Sequence, residues 1–258
     1  MNLVLRSVTI QSFLWVQVLS LILWIAASAF FLVSHGFEIF TSPQGLNLAL
    51  NWFQGLLIML VALGLNLMLR KTYRKASSPP LFFLTLALFF IHWEFISVLN
   101  AVFQYFQVTF FWSVLVTRLV WAFRLSTLFA LVSASLPSVG YQYQKLGSMA
   151  LLGTVLGLAL GTALPLDTRA LNTVFLYPLS NAGTFNFVLY VLAPVVVVCH
   201  MLGVKIHSSK HYWLMALGSF IFLVGWFGME SGILFTPVLM IPGILIIIRG
   251  SEKIYVSM

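Results

Sequence analysis

An all-α, polytopic bundle of about eight transmembrane helices is the fold class that this sequence predicts, and three observations predict it. Hydrophobic residues make up 61% of the 258 positions and charged residues only 7%, too little polar surface to cover a soluble globule of this size. Apolar runs long enough to cross a bilayer recur from one end of the chain to the other, each needing ~20 residues at 1.5 Å rise. The cations lie in short segments between those runs, which is the distribution that sets membrane orientation rather than a nucleic-acid-binding face.

The first span runs from about Val8 to Ser34, and the second from Leu46 to Leu69 after a loop holding Glu38, Pro43 and Gly45. Arg70, Lys71, Arg74 and Lys75 follow, and Pro79-Pro80 opens a third span, Leu81 to about Ala101, where proline suits a first helical turn. The fourth covers about Val108 to Ser135 and the fifth Leu146 to Leu164. From Pro165 to Thr184 the chain is more polar, and Asp167 is placed as an N-cap for a short interfacial helix through Tyr177. The sixth span is about Phe185 to Leu202.

The last apolar stretch, Tyr212 to Ile248, is too long for one crossing, and Gly228-Met229-Glu230-Ser231-Gly232 interrupts it. Two short crossings are therefore expected, the eighth bent by Pro237 and Pro242. A single crossing is the seven-helix alternative. Charge favours eight. With the N-terminus inside, Arg6, Arg70, Lys71, Arg74, Lys75, Lys145, Lys205, Lys210, Arg249 and Lys253 fall on the cytoplasmic side, ten of the 13 cations, as Lys and Arg in short loops do. Arg169 falls outside, and Arg118 and Arg124 lie within a span. Both termini are thus expected in the cytoplasm and the chain in the cell membrane. Arg6, the apolar run after it and Ala27-Ser28-Ala29 also fit a secretory signal peptide; the run is long for that role.

The whole chain, residues 1–258, is expected to form one integral membrane domain with no soluble domain, so any soluble output belongs to a partner. The single cysteine, Cys199, forms no internal disulfide. Lipid is the expected surround, and a second copy or another subunit is an expected partner, whereas nucleic acid is not.

Ionisable groups inside a span are expensive and therefore the first candidates for function. His92, Glu94, Arg118 and Arg124 lie near mid-membrane. If spans three and four turn near Phe106, Glu94 comes level with Arg118, and Arg124 lies ~9 Å deeper. Two guanidiniums against one carboxylate suit an anionic head group or small anion; a buried ion pair that fixes helix packing is the plainer reading. His92 points ~200° away from Glu94 around the helix, so the two face different neighbours. Arg118, Trp121 and Arg124 form a stripe with an indole between two cations, too few charges for a voltage sensor.

Gly153, Gly157 and Gly161 form a GxxxGxxxG run on the fifth span, a packing motif whose partner is a helix of this chain or of another copy. Cys199, His200, His207 and His211 have soft donors at helical spacing, but Gly203, Lys205 and Lys210 among them favour a solvated basic loop, and neither a metal nor a haem on His92 and His200 is expected. Glu230 fits a solvated turn, with Trp226, Phe227 and Met229 as interfacial belt or pocket wall. Walker, HExxH and dinucleotide motifs are absent, so catalysis has no positive support and no cofactor is expected. The leading expectation is a binding or permease-type module for an anionic amphiphile or small anion. A sensor read by a separate cytoplasmic protein comes second, and an intramembrane lipid-modifying enzyme using Glu94 or His92 third.

Overall fold

The computed structural model describes residues 3–35, 43–75, 78–142, 145–169, 171, 176–180, 182–228 and 236–255. Its elements are helices: α1 (Leu3–His35), α2 (Pro43–Lys75), α3 (Pro79–His92), α4 (Val98–Tyr105), α5 (Phe110–Ser135), α6 (Leu146–Ala163), α7 (Ala182–His207), α8 (His211–Gly228) and α9 (Thr236–Tyr255). Short 3-10 turns join α3 to α4 (Trp93–Ser97) and follow α5 (Leu136–Val139). Among the described residues, seven segments are long and apolar enough to cross a membrane, α3 and α4 counting as one. The helical membrane bundle expected from composition is therefore the observed fold.

Helix α9, which is not among those seven, carries Arg249, Glu252 and Lys253 in its last turns. It runs antiparallel along α8 at backbone contact. A Cβ on Gly218 would lie 2.6 Å from the Gly243 carbonyl, and one on Gly243 2.7 Å from the Phe222 nitrogen, so only glycine admits this approach. The Tyr212–Ile248 stretch is thus two antiparallel helices. The expected turn at Glu230, Ser231 and Gly232 lies outside the described residues.

The glycine run of α6 finds its partner within the chain. A Cβ on Gly157 would lie 2.8 Å from the Ser126 nitrogen, and one on Gly161 2.5 Å from the Ala122 nitrogen, both on α5. The outer side of α6 remains apolar and exposed, with Leu151, Leu152 and Val155 on it, as lipid contact requires.

The core sits where α3 crosses α2 and α5; Leu81, Ala87, Leu88 and Ile91 are fully buried there. Gln17 accepts a hydrogen bond from Asn66 (2.9 Å) and donates to the Leu88 carbonyl, tying α1, α2 and α3 together.

The segment after α6 corrects one expectation. Asp167 accepts from the Arg169 amide in a local turn instead of capping a helix, and Leu176–Leu179 is not helical. The Asp167 amide donates to the Pro178 carbonyl (2.7 Å) and the Ser180 amide to that of Pro165 (2.9 Å), so the chain doubles back on itself. Pro165 and Pro178 push the residues before them towards extended backbone. Leu176 is wholly buried beside Val116 and Val120 of α5. Irregular backbone at this depth is tolerated because protein covers it.

Candidate functional site

The 3-10 turn Trp93–Ser97 breaks the long apolar helix near its middle. In a 3-10 turn residues three apart eclipse, which aims Glu94 and Ser97 to the same side. There they meet Asn51, Gln54, Gly55 and Ile58 of α2, Val98 of α4 and Arg124 of α5, which together line a cleft. Asn51 and Gln54 are three apart on an α-helix and share its face. Space for solvent in the cleft is about 20 Å³, above the ~10–15 Å³ that one water needs.

Glu94 is 3% exposed and Arg124 6%. Arg124 Nε donates to Glu94 Oε2 at 3.2 Å, and the indole N–H of Trp226 donates to Oε1 at 2.7 Å. The guanidinium also lies over the Trp121 ring, 5.0 Å from its centre. Burying a carboxylate is costly unless its charge is balanced and its oxygens accept hydrogen bonds, and Arg124 and Trp226 meet both needs.

The expected pairing of Glu94 with Arg118 is not what forms. Asn100 donates to Thr117 across the hairpin at 3.1 Å, and Glu94 meets Arg124. The α4–α5 hairpin is therefore centred near residues 108 and 109, beyond Phe106. The turn runs through Phe106 to Thr109, with Gln107 at φ 51°, and α5 starts only at Phe110. That moves Glu94 down α5 from Arg118 towards Arg124. Arg118 instead donates to the Thr162 carbonyl at 2.6 Å, covering the carbonyl end of α6, where a cation is favourable. Its Nε is buried without an acceptor among the described residues. Trp121 donates to the Tyr177 carbonyl at 3.4 Å. The stripe of three thus holds three elements: the end of α6, the irregular segment and the 3-10 turn.

His92 takes the opposite side, as its position around the helix predicts. Its Nε2 lies 2.7 Å from Ser20 Oγ and its Nδ1 3.3 Å from the Met59 carbonyl, so it belongs to the interface with α1 and α2 rather than to the cleft. His200 pairs with Ser138 at 2.7 Å, while His207 stacks on Tyr212 with ring centres 5.1 Å apart. Helix α7 ends at His207, and Ser208 turns the chain at φ 51°, so His211 opens another helix and the helical spacing of the three histidines does not continue across the turn. Among the described residues no group of three or more His, Cys, Asp and Glu is placed to hold a metal ion.

Sequence reasoning missed Asn51, Gln54 and Ser97, and it set Trp226 beside Glu230 rather than on Glu94. The first two were visible as polar residues at helical spacing within an apolar span. Ser97 and Trp226 depend on the 3-10 turn and on how α8 docks, which no local pattern reveals. Comparison with protein families, with curated proteins and with solved structures finds no match to this chain.

Proposed function

We propose that this protein is a binding or permease-type membrane module for an anionic group, carried by an amphiphile or by a small anion, with Arg124 in the cleft as its anchor. One observation carries the reading: the cleft brings a guanidinium, paired with the Glu94 carboxylate, together with two carboxamides and a hydroxyl between otherwise apolar spans. Charge balance supports it. Two arginines and one carboxylate sit along the α3–α5 hairpin, and among the described residues Arg118 has no carboxylate partner, so the region keeps net positive charge. Asn51, Gln54 and Ser97 supply neutral donors that orient an anionic group beside Arg124.

The cleft lies towards the α4–α5 turn. Arg70, Lys71, Lys145, Lys205, Lys210, Arg249 and Lys253 lie at the other ends of the helices, and Thr72 to Glu252 joins α2 to α9 there. Positive residues mark the cytoplasmic side. The reading accordingly places both termini and the basic end in the cytoplasm of a cell-membrane protein, and the mouth of the cleft on the opposite side.

The test is calorimetric binding of dodecyl phosphate and of inorganic phosphate to purified protein, with the Arg118→Ala and Arg124→Ala variants. Arg124→Ala is expected to weaken binding by about tenfold or more, since a hydrogen bond to a charged group contributes ~1.5–3 kcal/mol. Unchanged binding in both variants removes these arginines from the site.

A further inference from the structure

A second cavity lies farther along the same seam. Pro80 and Leu84 of α3, Leu131 and Ala134 of α5, Val196 and His200 of α7, Met215, Ser219, Phe222 and Leu223 of α8, and Ile247 of α9 line it. Its space for solvent is about 10 Å³, close to the lower limit for one water.

Helical spacing connects the two spaces. On α3, positions 80, 84, 87 and 91 share one face that leads to Glu94; on α5, Arg124, Thr127, Leu131 and Ala134 share another; on α8, Met215, Ser219, Phe222 and Trp226 share a third. The first two faces run from the cavity to the ion pair, and the third ends on Trp226, which donates to Glu94. By that spacing Ala87, Ile91 and Thr127 fall between the spaces, with Phe222 at the edge of the cavity, and each is at most 1% exposed. Helix α8 reaches α3 and α5 through long side chains such as Trp226 rather than by close backbone contact, in contrast to its glycine contact with α9. Side chains can change rotamer where packed backbones cannot.

A second observation points to a polar occupant. Thr127 is wholly buried, yet its hydroxyl has no hydrogen-bond partner among the described residues, although a buried hydroxyl in an apolar layer is normally satisfied. Ser219 and the Ser138–His200 pair continue the polar positions beyond it. Arg124, Thr127, Ser219 and His200 thus form a spaced series of polar groups through an apolar core.

We propose that the cleft and the cavity are the two ends of one path for a small free anion, closed by the layer of Ala87, Ile91, Thr127 and Phe222. The proposal rests on the permease reading of the cleft and adds a route to it. Water-sized spaces suit the passage of a small ion and not of an acyl chain, whatever group binds at the mouth of the cleft. Closure by apolar side chains is a known way to block ion passage through dewetting. Arg124 attracts the anion, the Thr127 hydroxyl replaces part of its hydration in the layer, and Ser219 and His200 receive it beyond.

The experiment uses the full chain in a Cys199→Ser background. The Ser97→Cys and Ser219→Cys variants are treated with a negatively charged, membrane-impermeant methanethiosulfonate from each face of the membrane. Chloride flux into vesicles is then measured for the wild type, Ile91→Ala and Phe222→Ala, each first shown to be monodisperse. A path predicts labelling of Ser97→Cys from one face and Ser219→Cys from the other, with several-fold faster chloride flux in both layer variants. The path is overturned if Ser219→Cys labels from neither face, if both cysteines label from the same face, or if both layer variants keep the wild-type flux. If Ser97→Cys labels and Arg124→Ala still weakens phosphate binding, the cleft stands while the path falls. Failure of those two results removes the cleft reading itself.

Discussion

His92 and Glu94 are two residues apart, yet they organise different halves of the molecule. His92 faces α1 and α2, where its partners are a hydroxyl and a backbone carbonyl. The nearby Gln17–Asn66 bond adds only neutral groups, and neither cavity described above is lined by His92. Glu94 takes its partners from α5 and α8, a guanidinium and an indole, and a solvent-sized cleft shared with the first half of α2 lies alongside. Burial is nearly equal on the two sides. What differs is charge and free volume, and these mark a site where burial alone marks only a core.

Four variants sharpen that contrast, each read as the shift in thermal stability of purified protein. Glu94→Leu has the largest expected effect, because it leaves the Arg124 guanidinium buried without its counter-charge; loss of one partner of a buried pair costs ~3–5 kcal/mol. Trp226→Phe keeps the ring and removes one hydrogen bond to the carboxylate, at ~1.5–3 kcal/mol. His92→Leu removes the imidazole's two hydrogen bonds, to Ser20 and to the Met59 carbonyl, while the Ser20 hydroxyl keeps the Gln17 carbonyl as its acceptor; at ~0.5–1.5 kcal/mol per bond the expected cost is ~1–3 kcal/mol. The double variant His92→Phe with Ser20→Ala replaces both polar partners by apolar groups and is expected to recover most of that loss, to within about 1 kcal/mol of wild type. A double variant as unstable as His92→Leu would show that the α1–α2 side needs its polar network as much as the α5–α8 side needs its charges.

The fold was largely legible because a bilayer simplifies the pattern: ~20 apolar residues between cations read as a crossing. The antiparallel course of α8 and α9 was legible from the same charges, and the glycines of α6 from their spacing. The irregular segment was not, since Asp167 followed by apolar residues reads as a capped helix, while the actual structure depends on pairing of Leu166 with Leu179. In the site, the opposite directions of His92 and Glu94 followed from helical geometry. The partner of Glu94 did not, because the register of a hairpin depends on a turn whose bounds cannot be read to within the two or three residues needed. The docking of Trp226 against Glu94, 132 positions away in the chain, has no local signature at all.

The most direct test of the difference between the two sides is the binding of dodecyl phosphate to three proteins in identical nanodiscs: wild type, Arg124→Ala, and the His92→Phe with Ser20→Ala double variant. The expected result is weakened binding in Arg124→Ala and wild-type binding in the double variant. Equal affinity in all three, or loss confined to the double variant, would contradict the placement of the site on the Glu94 side of the helix.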